Sequence, residues 1–477
     1  MGQGLGEMIR FVLILIFILC IIPPLVYNYQ YASCGDDSYF HMERVDQIEE
    51  QGISIPDSRY IGQNATWLWL KPFGGTDYAF VWFNWLAMAG AMLAIYLWGR
   101  GLVGKQAGLA MMVCAVMVAP AMLNFFHNGT IYNIINLYIF GLGASFCLLR
   151  WLDKGRPYHF TVSILLFMIM GIYHSSSSCV MMASIGLFLV GHMIYSYFKH
   201  DFMKLKKLGI YLVCFGLAVG LTAYFLNPEL HRLVNQVTGG ELTGKLMQNT
   251  PEGSPHDNLP MAYWLFKVWS PWLMILMAVS VMIIYRAKAR LDGRLLWLMG
   301  SFCLVLGFGA FTAFLYDTHR FGLDLAIIAS MLAGYLIVKA IQARKKRLYT
   351  AAVWGVLILC SLPAVIWLLS YNNAMTPADL NAVKWLNEHE GRWTTSSQAQ
   401  HLIYERFADS EYSYPDGDYV VWRSEPQTIW CDPDMWWWRY NDHYPNESVI
   451  ENYAGMDRLA EWEWKGLEVI IYGGSND

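Results

Sequence analysis

Apolar residues fill this chain in blocks long enough to cross a bilayer, and the polar residues gather between the blocks. By hydropathy, about eleven blocks of roughly 14 to 22 residues read as membrane spans. They begin near Phe11, Tyr78, Ala107, Ile131, Phe160, Cys179, Leu208, Trp269, Leu295, Phe321 and Tyr349. The connections alternate in character. One set carries Arg100 and Lys105; Arg150, Lys154 and Arg156; Lys199, Lys204, Lys206 and Lys207; Arg286, Lys288, Arg290 and Arg294; and Arg344, Lys345, Lys346 and Arg347. The other set is poor in Lys and Arg. Basic residues accumulate in cytoplasmic loops, so the first set is expected inside, together with the N-terminus. An odd number of spans then puts the C-terminus outside.

The pattern changes at Asn372, where ordinary soluble composition begins. TPADLNAVKWLNEHEG (376–391) predicts a helix capped by Thr376 or Asp379, with Leu380, Val383 and Leu386 on one face. LEVIIYGG (467–474) predicts a strand and a turn. The expected fold class is therefore an α-helical polytopic membrane protein over residues 1–371. A small extracytoplasmic α/β domain follows over 372–477. Two long outer connections are expected, at 28–77 and 227–260.

Composition supports this division. The 477 residues are 56% hydrophobic and only 15% charged, whereas soluble domains carry about 25% charged residues. The net charge of −4 says little, because the charges are segregated. Cys20, Cys114, Cys147, Cys179, Cys214, Cys303 and Cys360 lie in apolar runs and read as small core residues; only Cys34 and Cys431 lie outside, so no disulfide framework is implied. The start resembles a signal peptide. However, IIPPLVYNYQY (21–31) has aromatic belt residues and no small-residue cleavage site. Phosphate-loop, dinucleotide and Cys–Cys zinc patterns are absent.

Candidate chemistry collects on the outer side. Residues 35–48 read GDDSYFHMERVDQI. On a helix, Asp37, His41, Arg44 and Ile48 share one face. Asp36 and Asp37 could cap that helix and face solvent. Alternatively, they could accept a proton from a hydroxyl, or hold a hard divalent cation against a phosphate. His127 in FFHNGT and His174 in YHSSSS stand at the outer ends of spans. In YDTHRFGLDLA (316–326), Arg320 opens a span and Asp324 lies one turn deeper. An ionisable residue inside a span marks function by default. Here Asp324 could aim Arg320 at a phosphate of headgroup depth, or the two could form a structural tie between helices. MWWWRYNDHY (435–444) reads as core packing or an interfacial belt before a sugar-stacking surface.

An N-in span, a long first outer loop opening with an Asp motif, many further spans and an outer C-terminal domain resemble the GT-C membrane glycosyltransferases. DSYFHMERVDQI is similar to the first-loop motif of the archaeal-type oligosaccharyltransferase catalytic subunit: Asp37, Tyr39, Phe40 and His41 match, and Arg44 comes one place late. FFHNGTIYNIINLYIFGLG stands where that family has its second outer loop, with HNGT in place of acidic residues. The two-Trp Asp-Tyr-Gly signature of oligosaccharyltransferases is missing. The resemblance implies transfer of a sugar or glycan from a polyprenyl- or dolichyl-phosphate carrier to an extracytoplasmic glycan, lipid or protein acceptor. In it Asp37 is the general base or metal ligand and Asp36 its helper. Arg320 and His319 stabilise the departing phosphate, while His127 and His174 line the pocket and the 236–260 segment forms a lid. The cofactor it implies is a divalent cation, Mg or Mn. Two other classes fit a polytopic chain: a transporter or lipid-carrier flippase, and a membrane sensor or assembly protein. A transporter would place ionisable groups near mid-membrane in two matching halves, and no such symmetry is evident.

Overall fold

The computed structural model describes residues 76–117, 131–173, 175–226, 271–312, 318–344, 352–357, 376–395, 407–413, 417–423, 455–464 and 467–474, together with Glu50, Thr350 and Tyr404. The expected span near Phe11, the connections 28–75 and 227–260, Cys34, Cys431 and the Trp-rich stretch 435–444 lie outside these residues.

Nine of the expected spans coincide with described helices. They are α1 (Thr76–Leu102), α2 (Lys105–Met117), α3 (Ile131–Ile134) running through a π-helical stretch (Ile135–Gly141) into α4 (Leu142–Lys154), α5 (Pro157–Tyr173), α6 (Ser175–Phe198), α7 (Phe202–Leu226), α8 (Pro271–Arg286), α9 (Gly293–Thr312) and α10 (Thr318–Arg344). Four described segments are long and apolar enough to cross a bilayer: Tyr132–Lys154, Ser177–Phe198, Phe202–Thr222 and Asp324–Arg344. Leu86–Leu102, Pro157–Tyr173, Leu273–Arg286 and Gly293–Gly309 are shorter apolar helices.

These helices are apolar all round, as membrane helices are. Helix α1 buries Ala87, Met88, Ala91, Ile95 and Trp98, yet it exposes Leu86, Leu93 and Leu97 on its other side. Helix α10 is the central element, with 83% of its apolar window buried, against 28% for α7. Small residues let it sit deep. A Cβ on Gly334 would meet the Ala110 backbone at 2.6 Å, so α10 and α2 touch main chain to main chain, as packing in lipid favours.

The basic connections meet at one end of the bundle. Arg150 on α4 donates to the Gly101 carbonyl at the end of α1, and Arg294 at the start of α9 pairs with Asp153 at the end of α4. Gly155 then turns the chain from α4 to α5 in the left-handed conformation, φ 66°. Three of the connections that the alternation rule groups together, at the ends of α1 and α4 and the start of α9, are thus neighbours in space.

Beyond the bundle, α11 (Pro377–Glu388) packs on a four-stranded sheet of order β1-β2-β4-β3. Its strands are β1 (Trp393–Thr395), β2 (Tyr419–Arg423), β3 (Asp457–Trp464) and β4 (Leu467–Gly473). β1 and β2 are parallel, and the other pairs are antiparallel. Val421, Val469 and Ile471 supply the face that joins the hydrophobic core. Thr376 and Asp379 both cap α11, in a reciprocal box: Thr376 N–H donates to Asp379 Oδ2 at 2.7 Å, and Asp379 N–H to Thr376 Oγ1 at 3.4 Å.

Asp379 is fully buried, also accepts from Tyr404 Oη at 2.5 Å, and forms an ion pair with Arg423 Nε at 3.2 Å. Burial and the neighbouring carboxylate hold the Tyr404 phenol well above its usual pKa, so it stays a donor. Tyr404→Phe should therefore destabilise this unit by about 1.5–3 kcal/mol, the worth of a hydrogen bond to a charged group. Limited proteolysis within 376–474 of the full chain against denaturant reads this out. An unchanged midpoint would show that the phenol does not support the fold.

Candidate functional site

The outer-face reading singles out residues near the start of α10, near the α5–α6 turn and just before α3. The π-helical stretch ties these regions together. Asp324, in the second turn of α10, is only 4% exposed. Tyr138 Oη donates to its Oδ1 at 2.7 Å, and Asn133 Nδ2 donates to its Oδ2 at 3.4 Å. Both oxygens of the carboxylate are thus held by one segment. On a regular α-helix, two residues five apart point about 140° away from each other. The wider turn that begins at Ile135 brings positions five apart close to alignment, so Asn133 and Tyr138 reach the same carboxylate.

Asn136 lies within the same stretch and serves the other side. Its Nδ2 lies 3.2 Å from the Met170 carbonyl near the end of α5, and 2.9 Å from both Ser177 Oγ and Ser178 Oγ in the first turn of α6. Ser178 Oγ also donates to the Met170 carbonyl. Tyr132 and Tyr173 pack with ring centroids 5.7 Å apart, and Phe140 packs edge-on against Tyr173 at 5.6 Å. The chain on either side of the α5–α6 turn is therefore fixed to the start of the α3–π–α4 segment, and the π stretch is fixed to α10.

Of the residues picked out from the sequence, Asp324 is seen with its partners. His319 and Arg320 are on α10, and their side chains lie outside the described residues. Asp36, Asp37, His41, Arg44, His127 and His174 lie outside them entirely. What is described are chain segments that follow His127, flank His174 and follow Arg320, and these meet at the α3–π–α4 segment. Asn133, Asn136, Tyr138, Ser177 and Ser178 were missed by the sequence reading. Asn133 and Asn136 in IYNIINLY (131–138) did give a signal: two amides inside an apolar span need partners. Among the described residues, no group of three or more His, Cys, Asp or Glu could hold a metal ion. Asp324 is engaged by Tyr138 and Asn133, so the described residues do not offer a ligand set for a divalent cation.

No protein-family model matches the sequence, and no curated protein matches it. Solved structures do. The Archaeoglobus fulgidus oligosaccharyltransferase in its apo form superposes with a TM-score of 0.56 at 11% identity, over 98% of this chain and 74% of that one. The same organism's oligosaccharyltransferase AglB, in complex with an inhibitory peptide and a dolichol-phosphate, gives 0.54 at 12% identity over 99% and 74%. ArnT from Cupriavidus metallidurans, bound to undecaprenyl phosphate, gives 0.52 at 11% identity over 99% and 98%.

The chain shares the fold of these solved structures.

In that fold, the described part of this chain is a long helical bundle followed by a smaller unit with a sheet. The expectation of a helical membrane domain followed by a small α/β unit agrees with it at that level. At these identities the likeness concerns the fold.

Proposed function

We propose that the protein is an integral membrane glycosyltransferase. It moves a sugar or short glycan from a polyprenyl-phosphate carrier to an extracytoplasmic acceptor, with inversion. The observation that carries this reading is the GT-C fold over nearly the whole chain, matched to nearly the full length of a protein solved with undecaprenyl phosphate and to an oligosaccharyltransferase solved with dolichol-phosphate.

In this reading Asp37 takes the proton from the acceptor hydroxyl as the new bond forms at the sugar's anomeric carbon. The bond from that carbon to the phosphate oxygen breaks, and its electron pair leaves with the lipid phosphate. Arg320, with His319, faces the charge growing there, where a preorganised cation is most effective. Asp36 supports Asp37, and His41 and Arg44 share its helical face. His127 and His174 line the pocket whose frame the π stretch builds. A divalent cation, if held, is held by Asp37 and Asp36. The basic end of the bundle is cytoplasmic and residues 372–477 are outside.

The test is a purified-protein assay with a labelled polyprenyl-phosphate sugar and a membrane-derived acceptor fraction. Sugar moves to the acceptor and free polyprenyl phosphate is released in equal amount. A flippase relocates the intact donor with no bond broken, and that outcome would replace this reading.

A further inference from the structure

The basic end of the bundle holds a cavity, far from the π stretch. It has a volume of about 1060 Å³ and lies between the ends of α4 and α6 and the starts of α7 and α9. It sits near the level of Tyr335, whose hydroxyl accepts from Asp292 N–H at 2.8 Å. Tyr335 is eleven residues along α10 from Asp324, or about 16 Å at 1.5 Å per residue. The two regions therefore lie toward opposite ends of the bundle.

The lining has three unusual features. His192 is 6% exposed, and neither ring nitrogen has a hydrogen-bond partner among the described residues. Its ring packs edge-on with Phe188 at 4.7 Å, so the imidazole lies beside the cavity with its polar atoms unused. A neutral imidazole offers one donor and one acceptor. The charges are also mixed. Lys204 has no ion pair among the described residues, and Arg294 pairs with Asp153. Asp292 caps α9 through Oδ1, which accepts from Arg294 N–H at 3.0 Å and Leu295 N–H at 3.2 Å. Finally, the wall on α6 runs out through Val190, Ile194 and Tyr195, which are 44%, 53% and 55% exposed. In a bilayer these apolar side chains face acyl chains.

Two cations with two anions suit a ligand that carries both signs. A singly charged anion that draws Arg294 to itself would take it from Asp153 and leave that carboxylate without its partner, whereas a ligand that also carries an ammonium replaces it. The opening among lipid-facing residues points to a ligand that arrives from the bilayer. We propose that this cavity binds a phospholipid whose headgroup joins a phosphodiester to a primary ammonium. The phosphate sits against Lys204 and Arg294, and meets a nitrogen of His192 once that ring turns from its enclosed place toward the cavity. The ammonium sits toward Asp153 and Asp292, and the acyl chains lie along Val190 and Ile194. The site is independent of sugar transfer, and its test does not use that activity.

The experiment is native mass spectrometry of the full-length protein, titrated with phosphatidylethanolamine, phosphatidylcholine and phosphatidylglycerol of matched chains. Soluble glycerophosphoethanolamine and inorganic phosphate are run beside them. Phosphatidylethanolamine should be retained about tenfold better than either other lipid, the scale of one hydrogen bond to a charged group. Phosphatidylcholine carries the same charges but no N–H donor, so it isolates that bond. His192→Leu and Lys204→Gln should each lower retention by a similar factor. His192→Gln, which keeps a donor and an acceptor, should restore part of it. Equal retention of phosphatidylcholine, or preference for phosphatidylglycerol, overturns the assignment. So does retention of either soluble compound as well as the lipid, which would make the site one for a free phosphate. Parent-like lipid retention in both His192→Leu and Lys204→Gln overturns it as well.

Discussion

Asp37→Asn is expected to lower sugar transfer by roughly a hundredfold or more, the contribution of a positioned general base. Asn has nearly the same shape but cannot accept the acceptor's proton. Expression and membrane insertion should be unchanged. The measurement is turnover with a lipid-linked sugar, with and without a chelator. Loss in the variant together with chelator-resistant parent activity assigns Asp37 as base. Loss of parent activity on chelation, with rescue by Mg or Mn, assigns it to a metal instead. Near-parent turnover in Asp37→Asn removes it from the reaction altogether.

The other large effect belongs to Asp324. Asp324→Ala removes the acceptor of both Tyr138 Oη and Asn133 Nδ2. Stranding two buried donors costs about 1–3 kcal/mol each. The loss should reach several kcal/mol and separate α10 from the π stretch. Thermal stability of the purified protein should fall sharply, and transfer should fall with it, because the frame beside Arg320 loosens. Tyr138→Phe should cost less. Combined with Asp324→Ala it should add almost nothing, since partners in one network are not additive. Additive losses from the two changes would mean that they act at separate places. In contrast, Arg320→Ala should slow transfer without lowering stability comparably, which separates a group that meets the donor from one that holds the frame.

The helices were readable because a span needs only length and apolar content, and both survive in single blocks of sequence. The cap of α11 was readable because Thr376 and Asp379 are three residues apart in one turn. The tie at Asp324 was not. Its partners come from a segment nearly two hundred positions earlier, and the helical period assumed in reading a sequence puts Asn133 and Tyr138 on different faces. The sequence offers Arg320 as a partner of Asp324 because one turn is the only neighbour that a linear reading can see, and the Arg320 side chain lies outside the described residues. The clustering of Arg150, Asp153, His192, Lys204 and Arg294 was half visible. The alternation of basic connections placed most of them on one side, but which of them would border a common cavity depends on how α4, α6, α7 and α9 pack.

The π-helical stretch Ile135–Gly141 also bears on how this chain could have diverged and how it could be edited. A π turn behaves as an α-helix that has taken in one extra residue. Deleting one residue between Ile135 and Leu137 would let the ordinary period run through, and the parts before and after it would keep nearly their present relative orientation, because the wide turn already absorbs the extra residue. Asn133 and Tyr138 would then stand four apart, about 40° from each other, so both would still reach Asp324. A comparison that allows no gap inside a helix will slip by one position at this place. It will pair the wrong residues on one side of Ile135, even where the folds superpose.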